Sequence, residues 1–547
     1  MTDRRRDRVD RREFLVGLLA VTGAAACGSS DSSGRSDSSG RSEDGGETGD
    51  TGTTAAAAPP PELGGPAFTL GVASGDPLDD RVILWTRLAP EPLAPGGGMP
   101  DEDVDVEWEV ATDDTFDDIV SRGVATATPA LGHSVHVDAA GLEPDTWYAY
   151  RFRIGDEVSP VGRTRTFPAP DASPDTLRLA VANCQDYQHG RYAAYADLVA
   201  QDLDVVLFLG DYIYEAPGVE TAEEALAQRR YLGGFPVTLD DYRARYAITR
   251  LDAQIAEAHA RLPWIITFDD HEVINNYAGD DGALAGTGDE FLERRAAAYQ
   301  AWYENLPLRV EPPVDGEVTV HRDSTFGDLA RLFVIETRQH ADPAPCRDTS
   351  TLDAGPGCEE QQDPERTALG PEQADWLVDA MAENTAQWQL LANPVLLAGL
   401  DISAPEDPPA FFLETWDGYP AERARIVGAM ADRDVRNPVI LSGDYHASFV
   451  ALVRADPWDL SSPVVAPELL ATSISSPVFA TDHTAANPQI EYFDPRNGYL
   501  VCEVTPERIT ADFRYVDDPA DPDSAVTVGA TFVVRPADGG APTVERA

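Results

Sequence analysis

Four short apolar runs, each ending in residues able to hold a metal or move a proton, constrain this chain more than anything else in it. Leu177–Ala182 runs into Asn183 and Cys184, and Val205–Leu209 into Gly210, Asp211, Tyr212, Ile213, Tyr214 and Glu215. Trp264–Phe268 runs into Asp269, Asp270, His271 and Glu272, and Pro438–Ser442 into Gly443, Asp444, Tyr445 and His446. Short apolar runs separated by helical stretches read as the strands of an α/β layer fold, from about residue 171 onward. Open α/β sheets carry their sites at the carboxyl ends of such strands.

The residue types suit one chemistry. Two metals bridged by a carboxylate polarise a phosphoryl oxygen and make hydroxide available near neutral pH. Asp211 is the natural bridge, since the preceding Gly210 permits a tight turn. Tyr214, three residues on, can return to the same metal. A phenolate and a thiolate together suit a hard, oxidisable ion such as Fe(III) better than Mg(II).

Residues 67–170 read differently. Val104, Val106, Trp108 and Val110 alternate with acids, as do Tyr148, Tyr150, Phe152 and Ile154 with other residues, the period of half-buried strands. Leu142 to Tyr148 looks like the tyrosine corner of a fibronectin-III or immunoglobulin-like sandwich. No catalytic cluster falls in this stretch, so its expected role is packing beside the site or spacing it from the envelope. Elsewhere Ala374, Leu377, Val378 and Met381 repeat at helical spacing behind Pro371 and read as core. Tyr242 and Tyr246, in a helix capped by Thr238, read as packing. The turn Trp416 to Tyr419 either lines a cleft or packs its aromatics behind it.

The first 27 residues are an address. Arg11-Arg12-Glu13-Phe14-Leu15 is a twin-arginine motif, and the apolar run that follows is too short for a permanent membrane span. It ends in Ala24-Ala25-Ala26-Cys27. Cleavage before Cys27 would free a thiol for lipid attachment, although Ala24 stands where such signals usually carry Leu; ordinary signal cleavage is the alternative. Residues 28–66, rich in Ser, Gly, Asp, Thr, Ala and Pro, cannot bury a core and read as a disordered tether. The expected organisation is therefore 1–27 signal, 28–66 tether, 67–170 β-sandwich and 171–547 catalytic domain. The protein is expected outside the cytoplasm, touching membrane only through a lipid on Cys27, and as a monomer.

Charge narrows the partners. The chain carries a formal charge of −54 and no lysine. A surface this acidic repels nucleic-acid phosphates and anionic lipid, so nucleic acid is excluded except as a substrate. Of the four cysteines left after export, Cys346 and Cys358 flank a turn-rich loop suited to a disulfide in an oxidising compartment. Cys502 reads as a buried small hydrophobe and Cys184 is left for other chemistry.

Longer motifs carry a resemblance. Gly71 to Pro77 with Val82 to Leu88, Asp241 to Tyr246, Pro263 to Asp280, Trp416 to Pro420 and Ser442 to Ser448 resemble the alkaline phosphatase D (PhoD) family, in order and over nearly everything after the tether. The resemblance implies a four-layer α/β/β/α metallophosphoesterase domain related to purple acid phosphatases. It implies a phosphomonoesterase or phosphodiesterase using iron, Fe(3+), and calcium, Ca(2+), and attacking in line with metal-bound hydroxide. Carried over, it places Cys184, Asp211, Tyr214 and His446 around iron, and Asp211, Asp270 and Asp444 around calcium. Aspartates at the last two positions, where purple acid phosphatases have Asn and His, favour calcium over zinc. His271 would protonate the leaving oxygen or steady the phosphoryl group. Arg338 is a candidate phosphate clamp, although Glu336-Thr-Arg-Gln-His340 departs from the family's Asp-x-Arg-x-Tyr. Asn393 lies where relatives supply another metal ligand. Phosphate esters are the expected substrates. A phospholipase or nuclease preference, or an idle phosphate-binding lipoprotein, are the alternatives.

Overall fold

The computed structural model describes residues 62–346, 354–404, 407–433, 435–537 and 539–547. The twin-arginine motif, Cys27 and tether residues 28–61 lie outside them. Among the described residues no helix is long and apolar enough to cross a membrane.

Strands Leu177–Ala182, Val205–Phe208 and Pro263–Ile266 lie side by side in parallel at the centre of a ten-stranded sheet. Their near-continuous apolar sequence follows from burial on both faces. Val206, Phe208, Trp264 and Ile266 enter a core with Tyr195, Tyr246, Ile255 and Trp302 of the helices Ala193–Ala200, Leu239–Arg250, Ala253–Arg261 and Asp289–Asn305. The alternate residues Leu179, Val205, Leu207 and Ile265 face a second core with Trp388, Leu390, Val439 and Leu441. Those four belong to a seven-stranded sheet in which Ala330–Val334, Trp388–Asn393, Pro438–Ser442 and Val464–Leu470 run in parallel. On its far side Phe333, Leu391 and Ile440 pack with Leu377, Met381, Ile426 and Met430 of the helices Gly370–Glu383 and Pro420–Asp432. Two sheets thus meet face to face, each with helices packed against its other side.

Residues 67–170 contribute strands to two sheets. Val72–Gly75 pairs in parallel with Pro263–Ile266, and Arg81–Arg87 and Ser134–Ala140 continue outward, so these three strands extend the ten-stranded sheet. Gly75 is needed for that junction, because a Cβ there would lie 2.0 Å from the Pro307 carbonyl oxygen. The remaining strands, Val104–Ala111, Ile119–Ala127, Trp147–Ile154, Glu157–Val158 and Gly162–Arg165, form a separate five-stranded sheet. Its apolar face packs on the extension through Val106, Val110, Tyr150 and Phe152 against Val82 and Leu84. Alternation along a strand shows which residues are buried but not which sheet the strand joins. The expected corner contact is present: the Glu143 amide donates to the Tyr148 hydroxyl at 2.9 Å.

Other expectations hold locally. Thr238 caps its helix reciprocally with Asp241, and the helix behind Pro371 buries Ala374, Leu377, Val378 and Met381. Cys346 and Cys358 form a disulfide, while Cys184 and Cys502 are free and buried.

Candidate metal centre

The carboxyl ends of the central strands of both sheets converge on one place. Cys184, Asp211 and His446 bring ligand atoms within 4.8 Å of one another, as do Asp211, Asp270 and His271, and again Asp269, Asp270 and Asp444. Asp211 and Asp270 each belong to two of these groups, so the residues form one continuous cluster.

The turns that present them are strained. Cys184, Asp211, Asp444 and His446 all have φ between 55° and 66°, a left-handed conformation uncommon for residues other than glycine, asparagine and aspartate. Tertiary contacts hold them there. The Cys184 amide donates to the Gly210 carbonyl at 3.1 Å and the Gln185 amide to the Asp211 carbonyl at 3.0 Å. Gly210 has φ 118°, and a Cβ on it would lie 2.6 Å from the Asp269 amide nitrogen. Buried Glu272 accepts from the amides of Asp211 (3.0 Å), Tyr212 (2.7 Å) and Asp269 (3.0 Å), tying two of the strand ends together. Burial raises its carboxyl to about 7 even against those donors.

On one side of Asp211 the donors are phenol, thiol and imidazole. The Tyr214 hydroxyl donates to Asp211 Oδ2 at 2.9 Å and lies 3.2 Å from His446 Nε2, and Ser476 donates to it at 2.8 Å. His446 gives its Nδ1–H to the Pro477 carbonyl at 2.8 Å, which leaves the Nε2 lone pair facing the cluster. Burial holds that imidazole down to about 4, so it is neutral and can ligate. Burial, then Asp211 and Asp444, pushes the Cys184 thiol well up; burial, then Asp211, does the same to Tyr214. A bound cation would reverse both shifts.

The other side is carboxylate. Asp270 Oδ2 accepts from the Asn276 amide at 2.6 Å, but Asp270 Oδ1 and Asp269 Oδ2 are buried without a hydrogen-bond partner. Burial, then Asp269, drives the Asp444 carboxyl well up, the response of like charges confined together. Buried acceptors with nothing to accept are costly, and oxygen-rich donor sets fit hard divalent cations. The residues present therefore fit a cation.

Of the expected site residues, the structure brings Cys184, Asp211, Tyr214, Asp270, His271, Asp444 and His446 together. His271 lies against Tyr214 with ring centroids 4.2 Å apart and planes tilted by 31°, and its Nδ1 lies 2.6 Å from Glu215 Oε2. Burial opposes a charge on this imidazole, yet Glu215, Asp270 and Asp211 together raise it well above the ordinary value. Arg338 is also here but buried: its Nε donates to Asp269 Oδ1 at 2.5 Å and its Nη2 lies 3.9 Å from Asp270. Its guanidinium braces the carboxylates. Asn393 is differently engaged. Its amide donates to the Val395 carbonyl and to Ser442 Oγ, and its Oδ1 accepts from the Trp416 indole at 3.1 Å. That indole fixes the reading of the Trp416 to Tyr419 turn as packing, since both aromatics are buried.

Sequence reasoning passed over Asp269, Glu215, Glu272 and Ser476. The first three stand inside the polar runs, so the signal was present but residue type does not say which way each side chain faces. Ser476 had no signal; it arrives from a loop hundreds of residues away along the chain.

Comparison with known proteins agrees with this geometry. The family model described as PhoD-like phosphatase matches residues 179–513, and that of the PhoD-like phosphatase N-terminal domain matches residues 53–168. The chain is 42% identical over 483 residues to alkaline phosphatase D of Bacillus subtilis (strain 168), covering 87% of this chain and 82% of the relative. It is also similar to the solved structure of PhoD, with a TM-score of 0.82 and 41% identity over 89% of this chain and 93% of that one. The chain therefore belongs to the PhoD-like phosphatase family and is a phosphoric ester hydrolase.

Proposed function

We propose that this protein is an exported phosphatase that cleaves phosphomonoesters and phosphodiesters at a dinuclear centre. Cys184, Asp211, Tyr214 and His446 would hold iron, and Asp211, Asp270 and Asp444 calcium, with Asp269 beside them. The observation that carries this reading is the split donor set around Asp211: soft and phenolic donors on one side, unsatisfied buried carboxylate oxygens on the other. When bound, the metals would supply Lewis-acid stabilisation of phosphoryl charge and a nucleophilic oxygen at mild pH.

The chain's own residues do the rest. Glu215 takes the Nδ1 proton of His271 in a hydrogen bond and leaves Nε2 free to give its proton to the departing ester oxygen. The second Glu215 oxygen accepts from the Asn275 amide at 3.2 Å, so both oxygens are fixed. Arg338, held by Asp269, offsets part of the carboxylate charge and keeps the cluster from spreading.

The two face-to-face sheets with outer helices support reading residues 171–547 as a four-layer metallophosphoesterase domain. The tyrosine-corner contact supports an immunoglobulin-like origin for 67–170, with three strands lent to the larger sheet. Residues 1–27 are proposed as the twin-arginine lipoprotein signal, 28–66 as the tether and the protein as a monomer.

The test is a substrate profile of the purified protein on a phosphomonoester, a phosphodiester and a phospholipid, with iron and calcium supplied. Activity lost to a calcium-selective chelator and restored by Ca(II) is expected. Recovery with Zn(II) alone would overturn the assignment of the carboxylate side. For location, Cys27→Ala should move activity from the membrane fraction to the soluble one; wild-type protein that is already soluble and starts elsewhere than Cys27 would remove the anchor.

A further inference from the structure

Phe479 lies nearly flat against the His446 imidazole, with ring centroids 5.3 Å apart and planes at 16°, and meets Tyr445 edge-on at 5.7 Å. It is nonetheless 45% exposed. One face of the ring is therefore occupied by a residue of the metal centre and the ring remains substantially open to solvent. Burying His446 does not explain this, because the hydrogen bond from Nδ1 to Pro477 already fixes that imidazole. Tyr445, itself buried, in turn meets Phe412 edge-on at 6.0 Å, so Phe479 is backed by packed aromatic rings. An open ring of this kind, held in place by its neighbours, loses little freedom when a second flat group stacks on it.

We propose that Phe479 is a platform for the leaving group, and that the site favours phosphate esters whose leaving group is a flat aromatic ring over aliphatic esters. This rests on the assignment of His446 to the metal centre. The net charge of −54 adds a condition: the favoured ester carries a single phosphate and no further anionic groups, since each would be repelled. The aromatic group gains its contact by stacking, with no charge required.

The test compares 4-nitrophenyl phosphate with glycerol 2-phosphate on metal-loaded wild type, Phe479→Leu and Phe479→Trp, with bound metal measured in each. Leucine still covers His446 but offers no flat face. Phe479→Leu is expected to raise KM for the aryl ester about tenfold more than for the glycerol ester, a factor worth about 1.4 kcal/mol. Metal content should be unchanged and Phe479→Trp should restore the ratio. Equal changes for both esters, or loss of metal in the leucine variant, would overturn the proposal, leaving the ring as packing for His446. A metal-loaded wild type that hydrolyses neither ester would instead remove the underlying reading of the centre.

Discussion

The two sides of Asp211 solve the problem of burying polar groups in opposite ways. On the Cys184–Tyr214–His446 side the oxygen and nitrogen donors find protein partners: the phenol bonds Asp211, the serine bonds the phenol, and the imidazole bonds a carbonyl. On the Asp269–Asp270–Asp444 side, two carboxylate oxygens have none, and Arg338 is the braced cation among several acids. The first side can persist on its own hydrogen bonds; the second is held together against mutual repulsion and is stable only to the extent that a cation offsets it. Strain is present on both sides, with Cys184 and His446 left-handed on the first and Asp444 on the second. The difference is therefore electrostatic rather than conformational.

The largest expected effect comes from the residue that belongs to both sides. Asp211→Ala should lower kcat on the order of 1,000-fold or more and abolish binding of both metals, measured by steady-state rates and metal content. Retention of one full metal equivalent would break the bridge assignment. Next is the orienting carboxylate. Glu215→Gln presents one acceptor to two donors, His271 Nδ1–H and the Asn275 amide, so one is left unmatched. A fall in kcat of about 10- to 100-fold with KM and metal content little changed is expected; a change in KM alone would mean that Glu215 acts on substrate binding.

Tyr214→Phe and Cys184→Ser probe one side without the other. If iron sits there, the protein is coloured through its phenolate, and the phenylalanine variant should lose or shift the visible band while losing less activity than Asp211→Ala. Both variants should keep their response to Ca(II). A colourless, iron-free and fully active wild type would make Tyr214 and Cys184 structural residues.

The smallest effect is the sharpest test of the electrostatic contrast. In metal-free protein Asp444→Asn removes a confined like charge and should raise stability by about 1 kcal/mol, read as a higher denaturant midpoint. Cys184→Ser removes no such charge and should not stabilise. If both substitutions stabilise equally, the electrostatic contrast between the sides fails.

The clustered polar residues were largely legible because each strand is a short apolar run buried on both faces, and its end is marked by the first residues that cannot be buried unpaired. Cys184, Asp211, Asp270 and His446 follow from that, as do the tyrosine corner, the Thr238 cap and the Cys346–Cys358 bridge, all of which depend on near neighbours in sequence. What only the tertiary structure decided depends on distant neighbours. Val72–Gly75 joins the catalytic sheet because Pro263–Ile266 offers an open parallel edge, and nothing in its own alternation records that edge. Asn393, at the end of a strand like the others, turns its amide to Val395 and Ser442 and its oxygen to Trp416, contacts that its place in the sequence does not record. Arg338 was legible as a candidate phosphate clamp, but that Asp269 accepts from its Nε is a contact only the fold supplies. Local sequence fixes where a polar group leaves a strand; which group it then meets is set by the packing of two sheets whose strands are far apart along the chain.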